Sequence, residues 1–156
     1  MERSRIALVL GLAVAAIAGT LVLGGIVIVA ALAFSDTDHD DVPRATVENV
    51  GRIRLPASAH DLRSHLEGFQ DRLLYARFAF LEADLEAFQN SLRCRLSPIA
   101  TTPIEAGPTP APAWWSIAAI TRSRTCEAEG PGFSQQIVID VSHSPKLVGY
   151  LSVFER

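Results

Sequence analysis

Cysteine occurs only twice in these 156 residues, at Cys94 and Cys126, and lysine only once, at Lys146. The wide spacing of the cysteines excludes a Cys-x-x-Cys redox pair or a zinc knuckle. The chain has no Gly-x-Ser-x-Gly elbow, no His-Glu-x-x-His pattern and no phosphate-cradling glycine loop. Its one Gly-Gly pair, Gly24-Gly25, falls inside an apolar run. With these signatures missing, the sequence offers no catalytic residue, no cofactor and no ground for an enzyme. Its length excludes a polytopic transporter and a (β/α)8 barrel, which takes roughly 250 residues.

The hydrophobic residues are unevenly placed. From Ile6 to Phe34, 24 of 29 positions are apolar and the rest are Gly or Thr, against 51 of 122 from Ser35 onward. In hydrocarbon, a single span satisfies its backbone only as a helix, so residues 6–34 are expected to form a transmembrane helix. At about 1.5 Å per residue the run extends roughly 43 Å, more than the bilayer core of about 30 Å, which requires tilt or ends among the headgroups. Ala31-Leu32-Ala33 offers the small residues that a signal peptidase favours. Signal-peptide cores, however, hold about 7–15 residues, so an uncleaved signal-anchor is expected. No cysteine lies in or just after the run, which excludes a lipid attached there. Arg3 and Arg5 precede it, while Asp36, Asp38, Asp40 and Asp41 follow with only His39 and Arg44 nearby. Basic flanks stay inside, so residues 1–5 are expected in the cytoplasm and residues 35–156 outside a cell membrane. Gly11, Ala15 and Gly19 recur at four-residue spacing, which suits a lateral homodimer in the bilayer or simply an unadorned anchor.

Sixteen acidic and 12 basic side chains leave residues 35–156 at a formal −4, which argues against a nucleic-acid partner. Outside the cytoplasm a Cys94–Cys126 disulfide can persist. By chain entropy, a loop of about 33 residues makes it worth roughly 3.7 kcal/mol. Two separate buried thiols are the alternative.

Residues 35–49 are polar, acidic and broken by Pro43, and read as a linker to a domain at 50–156. VGRIRLP suggests a short strand ending at Pro56, and the aromatic, branched stretch at 72–81 a firm one. Between them Ser58 and Asp61 form a capping-box pattern, with Ala59, Leu62, Leu66 and Phe69 at helical spacing, although Leu62, Ser64 and Leu66 also alternate. Leu81, Leu85, Phe88 and Leu92 mark one face of an amphipathic helix over 83–92. Five prolines make 97–113 an extended loop. WWSIAAI is of no clear type. TCEAE, QQIVIDVS and LVGYLSVFE read as strands separated by GPGF and SHSP turns. The expectation is an α+β domain: an antiparallel sheet of five or six strands covered by one helix.

An "LP-x-SA" step (Leu55, Pro56, Ser58, Ala59) leads to Gly-Phe-Gln-Asp at 68–71, an aromatic strand and an Asp-Leu-x-x-Phe helix. Cys94, Trp114-Trp115 and a closing Ile-Asp-x-Ser strand complete the series. Over residues 50–154 this resembles small bacterial domains, with no assigned activity, that sit behind a membrane helix or lipid anchor. The resemblance implies that residues 60–67 form a strand pairing with 72–80.

Four constellations invite a chemical reading. Asp36-x-Asp38-x-Asp40 opens like a calcium loop but has Asp41 at the sixth position, where Gly is required, and Val47 at the twelfth, where Glu belongs. An acidic linker is the plainer account. His60, Asp61, His65 and Asp71 carry metal-ligating groups, and His60, Asp61 or His65 could serve a small hydrolase. On a regular strand, though, positions 60 and 65 point to opposite faces. Ser142-His143-Ser144 after Asp140 lacks the order in space that a triad needs, and reads as a turn. Trp114 and Trp115 end the proline-rich loop, where one indole can pack against Phe88 or Phe78 and the other project to a partner. Together these features describe a membrane-anchored, non-catalytic binding or assembly module with a protein partner in the membrane or envelope. A complex subunit acting through its membrane helix is the alternative.

Overall fold

A computed structural model describes residues 39–68, 71–101, 104, 107 and 111–156. The apolar run at 6–34, with Gly11, Ala15 and Gly19, lies outside the described residues. Among the described residues no helix is long and apolar enough to cross a membrane.

In chain order the elements are β1 (His39–Asp40), α1 (Arg44–Gly51), β2 (His60–Glu67), β3 (Arg72–Leu81), a 3-10 turn at Glu82–Asp84 running into α2 (Leu85–Ser91), a 3-10 turn at Ile117–Ala119, then β4 (Ser123–Gly130), β5 (Phe133–Asp140) and β6 (Lys146–Glu155). The strands form one antiparallel sheet in the order β1-β2-β3-β6-β5-β4. The domain is therefore α+β. At its centre β3 and β6 pair without interruption from Arg72↔Glu155 to Leu81↔Lys146.

Side chains alternate across a strand, so this pairing distributes β3 between two faces. Leu74, Ala76, Phe78 and Phe80 go to the first, with Ile137, Ile139, Leu147, Leu151 and Val153. Val47 and Val50 of α1 and Phe88 of α2 close over them. Phe78, Phe80 and Phe88 interlock with ring centroids 5.6–5.8 Å apart. Phe78 sits against Gly149, where a Cβ would come within 2.5 Å of the ring. The second face carries Tyr75, Val138 and Tyr150 beneath Trp115 and Ile117. The sheet is thus covered on both sides, by helices on one and by the 111–120 segment on part of the other.

Several expectations need correction. Residues 35–49 are not wholly a linker: from His39 they are folded, and Arg44–Gly51 is a second covering helix. Its intrinsic helix propensity is poor, with Thr46, Val47, Asn49 and Val50, so tertiary packing of Val47 and Val50 dominates. VGRIRLP is not a strand. Ile53 and Leu55 are buried, which mimics strand alternation, but the backbone there is held by side chains. Arg44 Nη2 donates to the carbonyls of Leu55 and Pro56, and Glu48 Oε1 accepts from the Leu55 amide. Residues 60–67 are a strand, as the resemblance implied, and Ser58 is no helix cap. Its amide donates to Asp84 and its hydroxyl accepts from the Leu81 amide. The helix begins as a 3-10 turn, and Leu81 is 44% exposed, not part of the buried stripe.

Cys94, just beyond α2, and Cys126 on β4 form a disulfide with Cα atoms 5.7 Å apart, joining the helix layer to the edge strand. The proline-rich loop guards that same edge, since Ala100 pairs with Ser123 and the Ser97 amide donates to the Thr125 carbonyl.

Two measurements check this packing. Gly149→Ala is expected to lower unfolding stability by about 1–3 kcal/mol in urea, because the Phe78 ring must leave its site; an unchanged midpoint would mean the ring shifts freely. Replacing both cysteines by serine is expected to cost about 2–4 kcal/mol, and reductant should then have no further effect on the variant.

Candidate functional site

β2 is interrupted by a bulge: Asp61 has φ 51°, and the register slips between His60 and Arg63. The extra residue reverses the alternation, so His60, opposite Ala79, and His65, opposite Tyr75, share one face, contrary to the regular-strand expectation. Their partners on β3 are four positions apart, about 13 Å, so they cannot share an ion. His60 Nδ1 lies 2.9 Å from the Ser58 carbonyl, and its Nε2 is 3.8 Å from Asp61. Among the described residues no group of three His, Cys, Asp or Glu is placed to hold a metal.

His65 instead forms a clamp. Its Nδ1 lies 2.8 Å from Asp40 Oδ1 and its Nε2 2.8 Å from Glu67 Oε1. Burial alone would lower its pKa, but the hydrogen bonds and charges of the two carboxylates outweigh it and raise the value above the usual 6.5. Next to it, Arg63 Nε donates to Asp41 Oδ1 at 2.8 Å, which holds that carboxyl below its ordinary value. Asp40 and Asp41 of the calcium-like pattern therefore tie the chain to β2, and Asp36 and Asp38 lie outside the described residues. In the Ser142–His143–Ser144 turn, Asp140 accepts the Ser142 amide at 2.8 Å, Ser142 Oγ bonds Thr121 at 3.0 Å, and Ser144 donates to Glu82. These are turn contacts.

The tryptophans divide as a buried and a half-buried indole, but on the opposite side of the sheet from Phe88 and Phe78. Trp115 meets Tyr75 and Tyr150 edge-on at 5.4 and 5.3 Å, and Trp114 lies 5.9 Å from Trp115. The Tyr150 hydroxyl bonds Ser116 at 3.0 Å. Gly107, at φ 130°, brings its backbone so close that a Cβ would sit 2.1 Å from Trp115 Nε1.

Beyond this cover the second face stays open among the described residues. Leu73 joins the aromatic cluster, and its cross-strand partner Phe154 is 36% exposed. Beside it Glu127, Glu129, Ser134, Gln136 and Ser152 line a shallow groove of about 250 Å³. Tyr75, Tyr150 and Phe154 escaped the sequence reading because they look like ordinary strand residues; only the β3–β6 register assigns them to the face away from the helices. No family model, curated protein or solved structure matches the chain.

The clamp has a defined pH sign. A raised folded-state value gives stability that is complete below 6.5 and is lost as pH rises through the folded value. Urea midpoints between about pH 5.5 and 8.5 should therefore fall on the alkaline side, and His65→Gln should flatten that slope. Identical slopes in the two proteins would remove the clamp as the cause.

Proposed function

We propose that this chain is a single-pass membrane protein whose α+β domain lies outside the cytoplasm and acts as a non-catalytic binding module in an envelope protein assembly. The observation that carries this reading is the second sheet face. An aromatic series from Trp114 through Trp115, Tyr75 and Tyr150 continues by way of Leu73 to the exposed Phe154 and the adjoining groove. Aromatics at the border of a polar groove are the usual anchors of a protein contact. The disulfide supports an oxidising compartment, and the uncharged run at 6–34 supports the anchor.

Cross-linking in native membranes, followed by identification of partners, tests both parts. Trp114→Ala combined with Phe154→Ser is expected to reduce recovery of the principal partner about tenfold, with the chain still in the membrane fraction. If that pair leaves the partners unchanged and Gly11→Leu with Gly19→Leu empties the set, the membrane helix is the working surface instead. A C-terminal reporter active only in the cytosol, or carbonate extraction of intact chain, overturns the anchored reading.

A further inference from the structure

The groove on the second face is bordered by an edge of the sheet. β4 is the last strand in the sheet order and pairs with β5 on one side only. Along its other side the proline-rich loop covers the first half. Ser123 exchanges both backbone bonds with Ala100, the Thr125 carbonyl accepts the Ser97 amide, and the Thr125 amide donates to Ser97 Oγ. Outward-facing backbone groups recur at every second residue of an antiparallel strand, so Glu127 and Glu129 are the next to turn amide and carbonyl away from β5. Among the described residues, neither has a backbone partner on that side. Their main-chain donors and acceptors stand in ladder geometry with no strand to complete it, which is the arrangement that strand addition uses.

The side chains at these positions select the occupant. Glu127 and Glu129 are exposed and line the groove with Phe154. Glu129, Ser134 and Phe154 form one cross-strand row. Glu127 accepts from Gln136 Nε2 at 2.8 Å, and no cation pairs with either carboxylate among the described residues. Arg156 lies over the Phe154 ring, 5.8 Å from its centroid, so the aromatic at the groove border accepts a guanidinium. A second copy of this chain is a poor occupant of the edge. Antiparallel pairing sets Glu127 and Glu129 opposite their own counterparts, and like charges directly opposite destabilise a ladder. A segment with Lys or Arg at every second residue instead puts cations opposite both glutamates, with Cβ atoms about 5 Å apart.

We infer that the free edge of β4 takes an extended cationic segment of a partner protein as a further strand, antiparallel to β4, with its Lys or Arg side chains against Glu127 and Glu129. The inference rests on the second-face reading and names the chemistry of the partner. The test is amide hydrogen exchange on the full chain in a non-ionic detergent, with a short capped peptide of alternating Lys and Val as the probe. The Glu127 and Glu129 amides should exchange about tenfold more slowly when about nine sites in ten are occupied. Those of Ser123 and Thr125, already bonded, should not change. Glu127→Lys with Glu129→Lys should abolish the protection, and Glu127→Gln with Glu129→Gln serves if the reversed pair unfolds. No protection by the probe overturns the inference. Equal protection by the same peptide with Glu for Lys overturns the cationic partner. Equal protection by the peptide N-methylated at its Lys residues, which keeps the charge and removes the ladder donors, overturns the strand. Protection that grows with protein concentration in the absence of peptide overturns the partner in favour of a second copy. In native membranes, the Glu127→Lys and Glu129→Lys chain should lose the same cross-linked partner as Trp114→Ala with Phe154→Ser. A partner kept by the glutamate pair and lost by the aromatic pair overturns the edge alone; one kept by both overturns the second-face reading and the edge with it.

Discussion

A sheet with apolar residues on both faces needs two separate coverings, and the unbroken β3–β6 pairing creates that requirement here. With Phe78 fixed over Gly149, its neighbours Leu74, Ala76 and Phe80 share its face, while Tyr75 is committed to the other. The first face draws in α1, α2 and the Phe78–Phe80–Phe88 cluster. The second draws in Trp115 and the segment around it. The disulfide and the Ala100–Ser123 bridge then fix the loop that has to travel from one covering to the other. Gain from apolar burial scales with the area removed from water, and a domain of this size has little to spare, so both coverings matter to its stability.

Much of this was legible in the sequence. The runs at 72–81, 135–142 and 147–155 contain their own alternation, and the GPGF and SHSP turns fix their order. What failed to show did so for identifiable reasons. α1 hides in an acidic stretch of weak helix formers, where only Val42, Val47 and Val50 betray a buried side. Residues 52–56 imitate a strand because Ile53 and Leu55 alternate, yet their partners are Arg44 and Glu48 side chains. The β2 bulge at Asp61 is invisible to a period-two argument, and it alone decides which face His60 occupies.

The candidate surfaces were harder to read than the fold, for the same physical reason. Trp114 and Trp115 stand out by composition, but Phe154 beside Leu73, and Arg52 and Arg72 beside Glu155, are brought together only through long-range register. Arg52, Arg72 and Arg93 come from three separate segments and meet because Glu155 and Phe133 are themselves paired across β6 and β5. No local pattern encodes such a meeting. The proposed role of the second face, toward a protein partner, follows from this division of the sheet.

The first strand is only two residues long, yet its attachment is reinforced by ion pairs from Asp40 to His65 and from Asp41 to Arg63. Tension applied to the backbone at His39 is borne first by this short joint. Pulled parallel to β2, its ladder bonds and both ion pairs resist in shear; pulled away from the edge, they open one after another. The joint is thus a direction-sensitive coupling, stiff against tension along the strand and weak against peeling.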